Sequence, residues 1–269
     1  METVTEQGLL VEQRRMQILE TVRRDGAVRV TDLALTYGVS EMTIRRDLDL
    51  LSRSGTLEKV HGGAVAVGMT EEPGFAVKSG LESTAKGAIA GAAAALVKPG
   101  TVVAIGGGTT TYAVAEQLLG VPDLTIVTNS LPIERLVRAA SDKGAHPPVV
   151  LLTGGTATRS EALVGPIADR TIDSLHVDLL ILGTHGITES EGLTSPNLAE
   201  AQTNRVFVSR ARRVAVVADH TKWGITGLST FADLDQIGWF ITDGGLPEEA
   251  RSVLAGRCEL VIPSDEEDL

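Results

Sequence analysis

Residues 38–48 read GVSEMTIRRDL. Ser40 is placed to cap a helix, and Ile44, Leu48 and, just beyond the run, Leu51 recur with the spacing of one helical face. At about 100° per residue these three define a buried side. Met42 and Arg46 then fall nearly opposite, with Thr43 on one flank and Arg45 on the other, all within the first two turns. Upstream, EQRRMQILETVRRD (12–25) sets Met16, Ile18, Leu19 and Val22 on one side of a helix that ends near Gly26. AVRV (27–30) is a short extended piece. Thr31 is then expected to cap a second helix, closed by Gly38. Downstream, Gly55 stops the third helix, and TLEKVHGGAVAV (56–67) reads as a hairpin around Gly62 and Gly63.

Three helices, a tight turn between the second and third, and a hairpin make a winged helix-turn-helix. The N-terminal part of a recognition helix enters the major groove, where arginine reads guanine or clamps phosphate. Ser40, Met42, Thr43, Arg45 and Arg46 are therefore candidate contacts to a double-stranded DNA operator. Lys59 and His61 would sit on the wing, near the backbone or minor groove. Two alternatives stand beside this. Arg45 and Arg46 would merely pair with Glu41, Asp47 or Asp49 on a solvated face, or the winged helix would dock a protein.

RRMQILETVRRDGAVRVTDLALTYGVSEMTIRRDLDLLSRSGTLEKVHGGAV (14–65) resembles the N-terminal signature of the DeoR family of bacterial transcriptional regulators. SEMTIRRDL and VHGGA are its specific segments. The resemblance implies that Arg45 and Arg46 lie on the DNA-reading helix.

VGMTEEPGFAVKSGLES (67–83) mixes Gly, Pro, Ser and charge without periodicity. Domains are expected over 1–67 and 82–269, with a linker at 68–81. After the linker, apolar β-branched runs (TVVAI, LTIVT, PVVLLT, VDLLILG, RVAVVAD, IGWFIT, ELVIP) alternate with helical stretches near 109–119, 131–140, 165–175 and 197–210. That pattern predicts an α/β domain with a mainly parallel sheet covered on both faces, its ligands at the carboxyl ends of the strands.

The loops at those ends carry the second set of candidates. GGGTTT (106–111) joins a strand to a helix, and its glycines, hydroxyls and helix amides suit a phosphate, or else form a plain tight turn. It has neither Walker nor dinucleotide glycine spacing. Gly107, Gly108, Thr109 and Thr110 are the expected cradle. Asn129 and Ser130 (in TNS), Arg159, His185 and Lys222 lie on neighbouring loops and would supply polar groups and cations for a phosphorylated polyol. Asp219 and His220, adjacent at a strand end, are expected to point apart, giving neither a metal site nor catalysis.

The resemblance continues through FAVKSGLESTAKGAIAGAAAALV (75–97, with Lys78 where Arg is commoner), GGGTTT, TNS, GGTATRSEALVGP, LGTHGIT and ADHTKWG. It implies an effector domain similar in fold to ribose-5-phosphate isomerase that senses a phosphorylated sugar or related phosphometabolite. Two positions depart from the family pattern. An Asp usual in the segment aligned to Gly106 and Gly107 is missing, and a usual Lys is Asn204. The first removes a sugar-hydroxyl acceptor and the second a positive charge.

The 269 residues carry a net charge of −11, yet residues 1–67 hold nine Lys and Arg against ten Asp and Glu. Acid is concentrated after residue 67, which favours solubility and limits non-specific binding to DNA, while arginines converging on one face keep a local positive field. One cysteine, Cys258, excludes an intrachain disulfide and fits a reducing cytoplasm. No signal-like start and no apolar run of spanning length is present, so a soluble intracellular protein is expected, without a membrane partner; no cofactor is expected either. The reading is a regulator, most simply a repressor, acting as a homo-oligomer (dimer or tetramer). A sugar-phosphate isomerase and a ligand-free interaction adaptor are the alternatives. An isomerase needs a positioned base, and no loop offers a clear acid–base set.

Overall fold

In the computed structural model, residues 11, 13–22, 27–53, 56–60, 62–66, 75, 83–142 and 147–263 are described. The chain divides into two compact units, 1–82 and 83–269. Helix α1 covers 13–22 and is followed by β1 (Ala27–Arg29), α2 (Val30–Tyr37), α3 (Glu41–Arg53), β2 (Leu57–Val60) and β3 (Gly63–Ala66). Ile18, Val22, Leu33, Ile44, Leu48 and Leu57 close one small core. The strands form an antiparallel sheet in the order β1-β3-β2. Helices α2 and α3 with this hairpin make the winged helix-turn-helix.

Three local expectations meet different outcomes. Gly38 does close α2, in the left-handed conformation (φ 63°, ψ 32°), and Ser40 does cap α3, its hydroxyl accepting the Thr43 amide at 3.2 Å. Thr31 is not a cap. Helix α2 starts straight from the end of β1, with Arg29 at the cap position and Thr31 already inside the first turn, and the Val30 amide, one of the free donors of that turn, donates to the Gly62 carbonyl at 2.8 Å. Gly63 is a strand residue opposite Val60, and a Cβ there would stand 2.0 Å from the Val28 carbonyl oxygen. Glycine is needed for that close approach. His61, Gly26, Gly55 and the expected linker, apart from Phe75, lie outside the described residues.

The second unit opens with α4 (Ser83–Ala94) and continues as β4 (Val102–Ile105), α5 (Thr109–Gln117), β5 (Thr125–Thr128), α6 (Leu131–Asp142) and β6 (Val149–Leu152). Next come β7 (Thr156–Ala157), β8 (Leu163–Val164), α7 (Pro166–Asp173), β9 (Leu179–Leu182), β10 (Gly186–Thr188), β11 (Gly192–Ser195) and α8 (Leu198–Arg210). The unit ends with β12 (Val214–Val217), β13 (Ser229–Ala232), β14 (Trp239–Ile241), α9 (Glu248–Ala255) and β15 (Glu259–Val261). Seven strands make one sheet, β15-β14-β12-β9-β4-β5-β6, parallel throughout.

Alternate residues along each strand feed two cores. Val103, Ile105, Ile126, Ile181 and Val217 pack with Ile89, Val114 and Ile133 of α4, α5 and α6. Ala104, Val127, Leu182 and Val216 pack with Ile172, Phe207 and Leu254 of α7, α8 and α9. Both faces are covered, which is why the strands read as unbroken apolar runs. The topology places the functional edge. From β4 the chain steps to β5 and β6 on one side, then crosses to β9, β12, β14 and β15 on the other. Order reverses between β4 and β9, and sheets of this kind bind ligands outside the carboxyl ends at such a reversal. A three-stranded antiparallel sheet, β10-β11-β13, departs from the mainly parallel pattern read from sequence.

Candidate functional site

Helix α3 separates two jobs on its two sides. Ile44 and Leu48 are fully buried, whereas Met42 is 59% exposed and Arg45 and Arg46 are exposed. Arg45 pairs with Glu41 one turn back at 3.3 Å, a weak surface contact that a phosphate can displace. Arg46 has no ion pair or hydrogen bond among the described residues. Thr43 is half-buried, its hydroxyl 2.9 Å from that of Ser40, so these two shape the helix start. Asp47 turns the other way. It is 2% exposed and accepts from Arg14 Nε at 2.7 Å and Arg15 Nε at 2.8 Å, locking α1 to α3. Lys59 of β2 meets Asp49 of α3 at 2.6 Å, and this hydrogen bond holds the Asp49 carboxyl below its usual range. The wing is thereby fastened to the recognition helix.

In the second unit, Gly108 precedes α5 at φ 151°, a conformation that favours glycine. The amides of Gly108, Thr109, Thr110 and Thr111 have no acceptor among the described residues, so the helix start offers free donors and the positive dipole end. The cradle is narrower than sequence implied. The Gly107 amide donates to Asn129 Oδ1 at 2.9 Å, while Asn129 Nδ2 donates to the Leu163 carbonyl at 3.1 Å. Asn129 is 2% exposed and is spent on bracing the loop. Ser130, also buried, caps α6 by accepting from the Ile133 amide at 3.4 Å. Thr111 ties the loop from within, its hydroxyl donating to the Gly106 carbonyl at 2.7 Å. A Cβ on Gly106 would stand 2.4 Å from Leu182 Cδ1, so β9 fills the space a side chain there would take.

The remaining candidates sit at neighbouring loops. His185 is half-buried between β9 and β10, Arg159 is exposed between β7 and β8, and Asn204 is half-buried on α8. Lys222 is half-buried in a 3-10 turn (His220–Lys222) after β12, and its amine has no partner among the described residues. Asp219 and His220 have different partners. The Asp219 carboxylate accepts from the Thr221 amide at 3.1 Å, while the His220 ring nitrogen Nδ1 lies 2.6 Å from Asp243 Oδ2. Burial would raise the Asp243 pKa, but hydrogen bonds from the His220 amide and ring and the Gly245 amide outweigh it and lower it. Among the described residues, no cluster of three His, Cys, Asp or Glu could hold a metal, and no helix is long and apolar enough to cross a membrane.

Three side chains escaped the sequence reading. Asp47 carried a signal, a charge beside the buried stripe of α3. Glu200 of α8 accepts from Thr158 at 2.7 Å and also from Ser160, holding the Arg159 loop. Asp243 meets His220 across 23 residues of sequence. No local pattern announces either of the last two.

Comparison with known proteins places the chain in a family. Residues 14–70 match the DeoR-like helix-turn-helix domain, and residues 81–244 match the DeoR C-terminal sensor domain. The chain is 37% identical over 245 residues to the HTH-type transcriptional regulator GlpR of Haloferax volcanii, covering 90% of this chain and 94% of that protein. It is 32% identical over 251 residues to the transcriptional repressor AccR of Agrobacterium fabrum, covering 88% and 94%. Among solved structures it is similar to ribose 5-phosphate isomerase A from Neisseria gonorrhoeae, at 17% identity and a TM-score of 0.38 over 53% of this chain and 54% of that one, a likeness of fold alone. The chain belongs to the DeoR family of DNA-binding transcriptional regulators, with a helix-turn-helix domain followed by a sensor domain.

Proposed function

We propose that this protein is a cytoplasmic repressor of carbohydrate-metabolism genes whose operator binding is controlled by a phosphorylated sugar or related phosphometabolite. The observation that carries the reading is Arg46, exposed and unpaired among the described residues, opposite the buried face of α3. A guanidinium so placed is free for a bidentate base contact. Arg45 and Lys59 would serve the phosphates, exchanging Glu41 and Asp49 for the DNA backbone. In the sensor domain the amides of Gly108 to Thr110 would hold the effector phosphate, with Lys222 as the cation. Domain limits of 1–67 and 82–269, and a homo-oligomer presenting paired recognition helices to repeated half-sites, complete the proposal.

An enzyme is the weaker reading. The two carboxylates on loops after β12 and β14, Asp219 and Asp243, are engaged with Thr221 and His220. A ligand shifts DNA binding only through its differential affinity for the two conformations, so effector and operator must weaken each other.

The test pairs gel-shift titration on operator and scrambled DNA with calorimetry on a panel of sugar phosphates. Arg46→Ala should cost about 1–3 kcal/mol on the operator and relax base preference. Arg45→Ala should weaken binding evenly and flatten the salt dependence. Lys222→Ala and Gly108→Val should lose effector binding while keeping the operator. Unchanged DNA affinity in both arginine variants, or wild-type effector affinity in Lys222→Ala, sinks the corresponding assignment.

A further inference from the structure

The two ends of the seven-stranded sheet are finished differently. At one end, β15 begins with an exposed Glu259 and runs into Pro263, a charge and a proline of the kind that protect an edge. At the other end, β6 is Val149-Val150-Leu151-Leu152, without a charge, and the prolines beside it, Pro147 and Pro148, precede the strand and leave its own amides in place. Three of its side chains are uncovered, Val149 being 62%, Leu151 45% and Leu152 38% exposed, while Val150 packs on the core. Beside it, Ile167 of α7 is also 62% exposed and lies against Gly154. On the α6 side, a groove of about 380 Å³ is lined by Val137, Pro147, Pro148, Val150 and Leu152 together with Ser141 and the paired Glu134 and Arg138. An apolar strand edge beside a groove whose charges are already paired is a surface built to be covered.

The backbone says in what register. The Val149 amide donates to Leu124 and the Thr153 amide to Thr128, both toward β5. Alternation along the strand sends Leu151 the same way and leaves the N–H and C=O of Val150 and Leu152 facing outward. We propose that β6 is the interface between two copies of this chain, joined antiparallel across a two-fold axis at Leu151. Val150 then exchanges both hydrogen bonds with Leu152 of the second copy, and the two Leu151 face each other as a non-hydrogen-bonded pair.

Charge favours a second copy as the occupant. The sensor domain carries much of the chain's net charge of −11, which opposes self-association over most of its surface. Beside β6, Arg138 pairs with Glu134 and Arg135 with Glu161, so these charges are locally balanced. An axis perpendicular to the sheet keeps α6 of both copies on one face, where each groove gains the other copy's strand, and such an isologous contact closes on itself. This proposal rests on the homo-oligomer of the preceding reading and adds where the copies meet.

Cysteine cross-linking of the full chain, in a Cys258→Ser background, tests the register. Leu151→Cys should give a disulfide-linked dimer for most of the chain under mild oxidation, since facing Cα atoms in such a pair are about 4.5 Å apart, within disulfide reach. Val149→Cys should not, because two residues off the axis the same atoms are about 14 Å apart. Leu151→Lys should halve the sedimenting mass of the assembly that depends on this edge, with unchanged circular dichroism. If Leu151→Cys stays unlinked, or Val149→Cys links instead, the junction is wrong. If Leu151→Lys keeps its mass, β6 is not the interface although the homo-oligomer stands. A wild-type monomer overturns both.

Discussion

Asp47→Asn should loosen the DNA-binding domain and leave the sensor domain untouched. Asp47 is 2% exposed and is held by Arg14 at 2.7 Å and Arg15 at 2.8 Å, whose side chains are 13% and 23% exposed. Removing one partner of a fully buried ion pair costs about 3–5 kcal/mol. Both guanidiniums keep some water and Asn keeps an acceptor oxygen, which lowers the expected loss to about 2–4 kcal/mol. Against a domain stability of about 5–15 kcal/mol this is large. Hydrogen exchange of the intact chain resolves it domain by domain. Amides in 13–22 and 41–53 should exchange about 30- to 1,000-fold faster, at about 1.4 kcal/mol per tenfold, while β4 and β9 keep wild-type rates. Asp49→Asn, which removes only an exposed partner of Lys59, should leave both helices as protected as before. Acceleration of less than about threefold in Asp47→Asn would refute the argument that this carboxylate holds α1 to α3, since that ratio corresponds to about 0.6 kcal/mol.

Four further outcomes follow from local geometry. Gly87, exposed within α4 and with no atom within 4 Å of a built Cβ, should accept alanine with a gain of about 0.5–1 kcal/mol in chemical denaturation. Gly63→Ala should instead disrupt the wing, because its Cβ would stand 2.0 Å from the Val28 oxygen, and exchange across β1 and β3 should show it. The Cys258 thiol, pushed up to about 11 chiefly by burial, should react far more slowly with a disulfide reagent at pH 8 than after denaturation. Asp243 has its folded pKa depressed, so its contribution to stability is complete well above the unfolded value of about 3.9 and is lost as pH falls through the folded pKa. The sensor domain of Asp243→Asn should therefore lose less thermal midpoint than wild type between pH 5 and pH 3, and parallel curves would count against the His220–Asp243 pairing.

Sequence by itself determined the parts that local periodicity and local chemistry dictate. The stripe Ile44, Leu48, Leu51 placed Arg46 outward because side-chain direction along a helix follows from residue spacing alone. The Gly38 stop and the Ser40 cap were equally legible, each acting within a few residues of itself. Unbroken runs such as Leu179–Leu182 announced a sheet buried on both faces. Tertiary structure alone decided which polar groups remain free. Gly107 and Asn129 stand 22 residues apart in the chain, and only parallel pairing of β4 with β5 brings the amide to the carboxamide and removes both from the expected cradle. Thr31 failed as a cap because α2 begins at Val30, straight from β1, where the hairpin carbonyl of Gly62 takes the first helical amide. Asp47 and Asp243 became partners of Arg14 and His220 through contacts 33 and 23 residues long. A donor or acceptor is satisfied by whatever the fold brings within about 3 Å, and chain spacing does not encode that distance once the partner lies on another element.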